Sequence, residues 1–144
     1  MLISRIRSLT LSLFFAFLQA CSVPNLETPE CSEARRRVKE FYSYHFADDM
    51  SFSEEKLENK KKYLTDRFFD ELRSQQTQVD VFTTADMDFP KSFSVGKCSL
   101  IGPEKIEIDV LLLWKRENYE SQQRLIKIEL QKQNNVWLID KIKR

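Results

Sequence analysis

Glycine is almost absent: Gly96 and Gly102 are the whole supply of a 144-residue chain. That excludes the glycine-rich loops that cradle phosphates. Histidine occurs once, as His45, and cysteine three times, as Cys21, Cys31 and Cys98. So few soft ligands cannot build a zinc-type cluster, and no metal or cofactor is expected. Neither sign of charge dominates, with 23 basic residues against 22 acidic ones. A nucleic-acid surface needs a basic excess, so no nucleic-acid partner is expected. Long hydrophobic runs are missing as well. The stretch Leu9 to Leu18 is ten residues, well short of the roughly 20 that a spanning helix needs.

What is there begins at the N-terminus. Arg5 and Arg7 form a positive region, Leu9 to Leu18 an apolar one, and Leu18-Gln19-Ala20-Cys21 closes the segment. This is the order of an export signal: a charged end held inside, an apolar stretch in the membrane, and a small residue for the peptidase. Cys21 resembles a lipobox cysteine, which is diacylated and becomes the new N-terminus. Ser22 follows it, where an aspartate would resemble an inner-membrane retention signal. The expected location is therefore the bacterial cell envelope, lipid-anchored and facing the periplasm, with the outer membrane favoured in a Gram-negative host. Each buried acyl methylene adds about 0.8 kcal/mol, so several chains anchor a protein without a spanning segment.

Residues 1–20 read as the signal peptide, 21–31 as a lipidated flexible tether holding Pro24 and Pro29, and 32–144 as a single domain. Loss of Arg5 and Arg7 takes the 23 basic residues to 21 against 22 acidic, a net charge of −1. With Cys21 lipidated, Cys31 and Cys98 remain in an oxidising compartment and are expected to pair. The alternative is two free thiols, because sequence alone supplies no geometry.

Ser32 is a candidate N-cap. After it, Ala34, Val38, Phe41, Tyr42 and His45 fall on one helical face, while Arg35, Arg36, Arg37, Lys39 and Glu40 are expected mostly in water. A second helix is expected after Ser53, through Leu57 to Leu64, and a third after Thr65, with Phe68, Phe69 and Leu72 as its apolar stripe. The stretch from Gln75 to Lys91 reads as irregular. Beyond it the period becomes two. Phe93 to Ile101, Lys105 to Arg116, the Ile126-Ile128-Leu130 region and Val136 to Ile142 read as strands. Asn134-Asn135 is a hairpin signal. Helices first and a meander after them make an α+β layout, with helices packed on one face of a curved antiparallel sheet of about four strands.

Three segments carry a family likeness: Val38-Lys39-Glu40-Phe41-Tyr42, Tyr63-Leu64-Thr65 through Phe69, and Trp137 to Ile142. The pair Asp80-Val81-Phe82-Thr83 and Asp88-Phe89-Pro90 adds to it. Together they resemble the bacterial domain of unknown function 3828 over residues 33–144. That family is similar in fold to the nuclear transport factor 2-like, or cystatin-like, superfamily. The resemblance implies a cone-shaped fold with a pocket between helices and sheet, and no activity.

Chemistry is thinly represented. His45 sits on the apolar face of its helix and reads as a core residue. Asp80, Asp86 and Asp88 are the best hard-cation candidates, but they lack the glycine and terminal glutamate of a calcium loop and read as solvated. Asp109 with Tyr42 or Tyr44 could imitate the carboxylate and tyrosine of related isomerases. Asp109 alternates out of phase with the apolar face, so it is expected to point away. Pocket lining falls to Tyr42, His45, Trp114 and Trp137, with sheet-to-helix packing as the plainer role. No catalytic residue is assigned. The favoured reading is a non-catalytic binding or interaction module on a lipid tether, its partner an envelope protein or a small apolar ligand. The alternatives are a small-pocket enzyme with a carboxylate base, and an inhibitor or immunity protein using a protruding loop within Gln75 to Lys91.

Overall fold

A computed structural model of the chain describes residues 27–75, 79–85, 88–115 and 121–144. The signal segment, Cys21 and most of the tether lie outside the described residues, as do Asp86 and the turn at 117–120. Among the described residues, no helix is long and apolar enough to cross a membrane.

The first helix, α1, spans Pro29–Phe46. It starts three residues before the expected Ser32 cap. Thr28 is the N-cap, its hydroxyl accepting from the Cys31 amide at 3.3 Å. Pro29 occupies the first turn, where its missing N–H would be unpaired anyway. A proline read as part of a tether is thus a helix start. Cys31, Ala34, Val38, Phe41, Tyr42 and His45 are buried on one stripe.

The α2 helix spans Glu54–Lys60, capped by Ser53, and a 3-10 turn follows at Lys61–Tyr63. The α3 helix spans Asp66–Ser74 and is capped by Thr65, whose hydroxyl accepts from the Phe68 amide at 3.2 Å. Leu64 bridges to Ile139 in parallel fashion, and the Thr65 amide donates to the Ile139 carbonyl at 2.9 Å. This ties the α2–α3 unit to the edge of the sheet.

The sheet is an antiparallel meander in the order β1 (Ser92–Gly102), β2 (Lys105–Lys115), β3 (Ser121–Gln133), β4 (Val136–Lys143). Asn134 and Asn135 make the last turn with φ of 49° and 62°, the left-handed pair that suits a two-residue hairpin. Ile106, Ile108, Val110, Leu112, Ile126, Ile128 and Leu130 form the buried inner face against α1.

Two bulges set which side chains reach that face. In β1 the register jumps between Val95 and Cys98, so Gly96 and Lys97 together oppose Asp109. A bulge adds one residue and reverses the alternation beyond it. Cys98 thereby faces α1 and forms a disulfide with Cys31, with 5.9 Å between their Cα atoms. In β4 the jump lies between the partners of Glu129 and Leu130, leaving Asp140 unpaired while Ile139 and Ile142 both turn inward.

Two arginines expected in water are structural clamps. Arg35 Nη1 donates to the Val95 carbonyl at 3.2 Å and also to the Gly96 carbonyl, at the β1 bulge. Arg37 Nε donates to the Trp137 carbonyl at 3.2 Å, its other end donates to the Lys62 carbonyl, and the guanidinium lies 4.5 Å from the Tyr63 ring centre.

Candidate functional site

Within the 75–91 segment, expected as a solvated or protruding loop, residues 80–84 are packed inward. Asp80, Val81, Phe82, Thr83 and Thr84 are all buried. Phe82 meets Phe41 edge to face, with ring centres 5.1 Å apart. Arg144 Nε donates to the Thr83 carbonyl at 3.1 Å, and the same guanidinium donates to the Val81 carbonyl. The segment is therefore gripped between α1 and the end of β4.

This packing brings Asp80 to His45. His45 Nε2 lies 3.0 Å from Asp80 Oδ2, with exposures of 2 % and 1 % for the two residues. The carboxylate accepts, so the geometry assigns the proton to Nε2. Asp80 Oδ2 also accepts from the Thr83 hydroxyl at 2.5 Å, and Oδ1 accepts from the Phe82 amide at 2.9 Å. Both oxygens are in use, as a buried carboxylate requires. His45 Nδ1 is buried without a partner among the described residues. Tyr42 donates its hydroxyl proton to the Phe82 carbonyl at 2.7 Å. Burial pushes that phenol well above its ordinary range, the Asp80 charge adds to the rise, and Arg144 opposes it.

Lys60 closes the outer side of this cluster. It is buried, with its ammonium 5.7 Å from the Tyr44 ring centre and 5.9 Å from that of Phe82. Burial holds its pKa below the usual lysine value, with nearby Lys56 acting in the same direction and the charges of Asp48, Asp80 and Asp49 opposing. No carboxylate lies within ion-pair distance of Lys60 among the described residues. His45, Asp80 and Lys60 line one depression together with Met50 and Phe52, with no space for even a water molecule.

Of the four residues expected as pocket lining, His45 and Trp137 border two different cavities among the described residues. His45 borders the depression just described. Trp137 borders a separate cleft of about 160 Å³ with Glu33, Arg36, Arg37 and Asn135. Tyr42 is fully buried and borders neither of these two. Trp114 is fixed by packing and by its Nε1, which donates to the Asp88 carbonyl at 2.9 Å.

The other candidates disperse. Asp109 lies on the outer face of the sheet, 3.4 Å from Lys127, as its phase predicts. Tyr44 is an exposed residue on the outside of α1, its ring beside the ammonium groups of Lys60 and Lys62 and the ring of Tyr63. Asp88 is exposed while Asp80 is buried, so these two form no joint cation site. Glu27, Cys31 and Cys98 are the one tight group of potential ligands among the described residues. The two sulfurs are bonded to each other, and Glu27 is held by Arg35, whose hydrogen bond lowers its pKa against burial. That leaves no thiolate to offer a metal.

Sequence reasoning named Asp80 only as a cation candidate in a solvated loop and missed its burial against His45. Only the turn was legible in Asp80-Val81-Phe82-Thr83, since a turn aspartate bonds the amide two residues on, here that of Phe82; the burial comes from Phe41 and Arg144, distant in sequence.

No protein-family profile and no curated protein sequence matches the chain. Its fold is similar to a crystal structure, at 2.10 Å resolution, of a protein of unknown function from Bacteroides thetaiotaomicron VPI-5482. The TM-score is 0.52 and the identity 18%, over 79% of this chain and 91% of that one. At that identity the likeness concerns the fold alone.

Proposed function

We propose that this chain is a lipid-anchored envelope lipoprotein whose folded part, a cone of the nuclear transport factor 2-like or cystatin-like kind and a relative of the domain of unknown function 3828, is a non-catalytic binding or protein-interaction module. The observation that carries this reading is the Cys31–Cys98 disulfide. Stable structural disulfides belong to oxidising compartments, which is where the Leu18 to Cys21 segment would send the chain. Lipidation would join Cys21 to the membrane, and the seven residues from there to the Thr28 cap span at most about 25 Å. The domain would then work close to the bilayer, on an envelope protein or a small apolar ligand, and not on nucleic acid.

The test is mass spectrometry of the full-length protein, gently extracted from its own membranes. A denatured mass beginning at Cys21, carrying acyl groups and lacking two hydrogens, supports both the anchor and the disulfide. Extra mass seen only under native conditions identifies a retained ligand or partner. A mass without lipid overturns the anchored reading.

A second reading is favoured by one observation, the buried Asp80–His45 couple. A carboxylate and an imidazole in a dry site are the parts of a general acid–base enzyme. That enzyme needs the couple to open to substrate. Diethyl pyrocarbonate reads this directly: rapid modification of His45 in the folded protein supports an opening, and protection until global unfolding removes the enzyme reading.

A further inference from the structure

Five large apolar side chains are exposed among the described residues: Tyr44, Leu100, Ile101, Leu125 and Val136. Three of them gather at one end of the sheet. Leu100 and Ile101 lie at the end of β1, and Val136 opens β4. The β1–β2 and β3–β4 turns meet there, with the Lys132 amide donating to the Glu104 carbonyl at 2.8 Å. Leu100 pairs with Ile106, yet it is 54 % exposed where Ile106 is fully buried. Ile101 is the unpaired residue of a further register shift, between Leu100 and Gly102, and is 47 % exposed. Single exposed apolar residues are ordinary on a protein surface, but a group of them marks a contact.

The chain enters the domain at this same end. Thr28 caps α1, and Cys31 in its first turn is bonded to Cys98, two residues before Leu100. Glu33, also near the start of α1, is 3.9 Å from Lys132. On the anchored reading above, the seven residues from Cys21 to Thr28 reach at most about 25 Å. The end with the apolar tip is then the end held beside the bilayer.

The charges at this end decide the kind of contact. Arg36, Lys105 and Lys132 are matched by Glu30, Glu33 and Glu104. Neither sign prevails, so anionic headgroups exert little pull and the apolar side chains supply the attraction.

We propose that this end of the domain docks on the bilayer that carries the Cys21 anchor, with Leu100, Ile101 and Val136 entering the boundary between headgroups and acyl chains. The proposal rests on the anchored reading. A tether limits distance and leaves orientation free. The apolar tip fixes orientation, turning the start of β1 and the end of β2 away from the lipid.

The experiment takes the full-length chain, methyl-labelled at isoleucine, leucine and valine, in phosphatidylcholine nanodiscs. A lipid carrying a nitroxide near the top of its acyl chain is present or absent. The nitroxide broadens the methyl resonances of Leu100, Ile101 and Val136. It spares those of Leu113, at the other end of β2, and of Leu125, on the outer face of the sheet. Adding phosphatidylglycerol changes the broadening by less than about twofold, because no net charge is in play. Ile101→Asp lowers the ratio of docked to free protein about tenfold, the scale of one apolar side chain withdrawn from burial, and the broadening at Leu100 and Val136 falls with it. Leu125→Asp makes the same change outside the tip and leaves the broadening in place.

The mass of each preparation reads lipidation separately. Acyl groups present, with broadening uniform over the domain or absent from the tip, overturn the docking and leave the anchor. A mass without lipid and the same broadened tip overturns the anchor and leaves the docking; with neither lipid nor broadening, both fall. Tip resonances that shift with protein concentration in maltoside, and escape broadening in nanodiscs, mark a second copy of the chain at this end and overturn the docking.

Discussion

His45 Nε2 and Asp80 Oδ2 are 3.0 Å apart, one on the last full turn of α1 and the other 35 positions further along the chain. Asp80 also caps its own turn through the Phe82 amide and takes the Thr83 hydroxyl proton. One carboxylate therefore ties an irregular segment to the main helix. Asp80→Ala removes three hydrogen bonds at once and leaves their donors buried. A loss of about 3–5 kcal/mol is expected. Asp109→Ala, which removes only a surface ion pair with Lys127, changes stability by less than about 1 kcal/mol. Urea unfolding of the two variants checks this; equal midpoints would mean that Asp80 carries no special share of the stability.

The Cys31–Cys98 bond closes a separation of 67 residues. In the chain-entropy model such a loop stabilises by about 4 kcal/mol. Arg35 grips the same β1 bulge by hydrogen bonds, so some of the local order survives reduction. The double substitution Cys31→Ser with Cys98→Ser lowers the urea midpoint with α1 still helical by circular dichroism. Unchanged midpoints with and without reductant would show that the bond contributes nothing.

Lys60 is a buried amine whose pKa burial depresses. Its folded-state pKa lies below its unfolded value, so the charged amine opposes folding below the folded pKa. That opposition fades as pH rises through it. Lys60→Met keeps the stem packed beside Leu57 and Phe82 and deletes the charge. It stabilises the fold by about 1 kcal/mol at neutral pH. Thermal melting is the measurement, and a lower melting temperature for the variant refutes the argument.

Asp140 is the unpaired residue of the β4 bulge. Burial by itself would raise its carboxyl, but hydrogen bonds from Arg67 and Thr65, with the charges of Arg67 and Lys105, outweigh it and hold the pKa below the usual value. The folded pKa is lower than the unfolded one. The stability it contributes is therefore present above about pH 4, the unfolded value, and lost as pH falls through the folded value. Asp140→Asn is less stable than the natural chain at pH 6, and the gap narrows steadily in the acid range. A constant gap from pH 6 down to pH 2 would refute this titration.

Much of the skeleton was legible. The Ser53 and Thr65 caps announced α2 and α3, because a side-chain oxygen before an apolar-periodic run pairs with a free amide wherever the helix later packs. The alternation from Ile106 to Trp114 placed Asp109 on the outer face before any partner strand was known. Local rules also misled. Pro29 read as tether although it opens α1. Arg35 and Arg37 read as solvated because a helical wheel does not record which carbonyls another strand will present. Asp80 read as a solvated loop residue, since its burial depends on Phe41 and Arg144, both far away in sequence.

The chain by itself determined the order of its helices and strands, the inward face of each and the pairing potential of two cysteines, because those follow from periodicity, caps and counting. Tertiary structure alone decided that Cys98 would face Cys31, since one extra residue in the β1 bulge reverses the face of everything after it. It alone decided that Asp80 would meet His45. Each of these depends on where a distant segment comes to rest, and no local pattern carries that information.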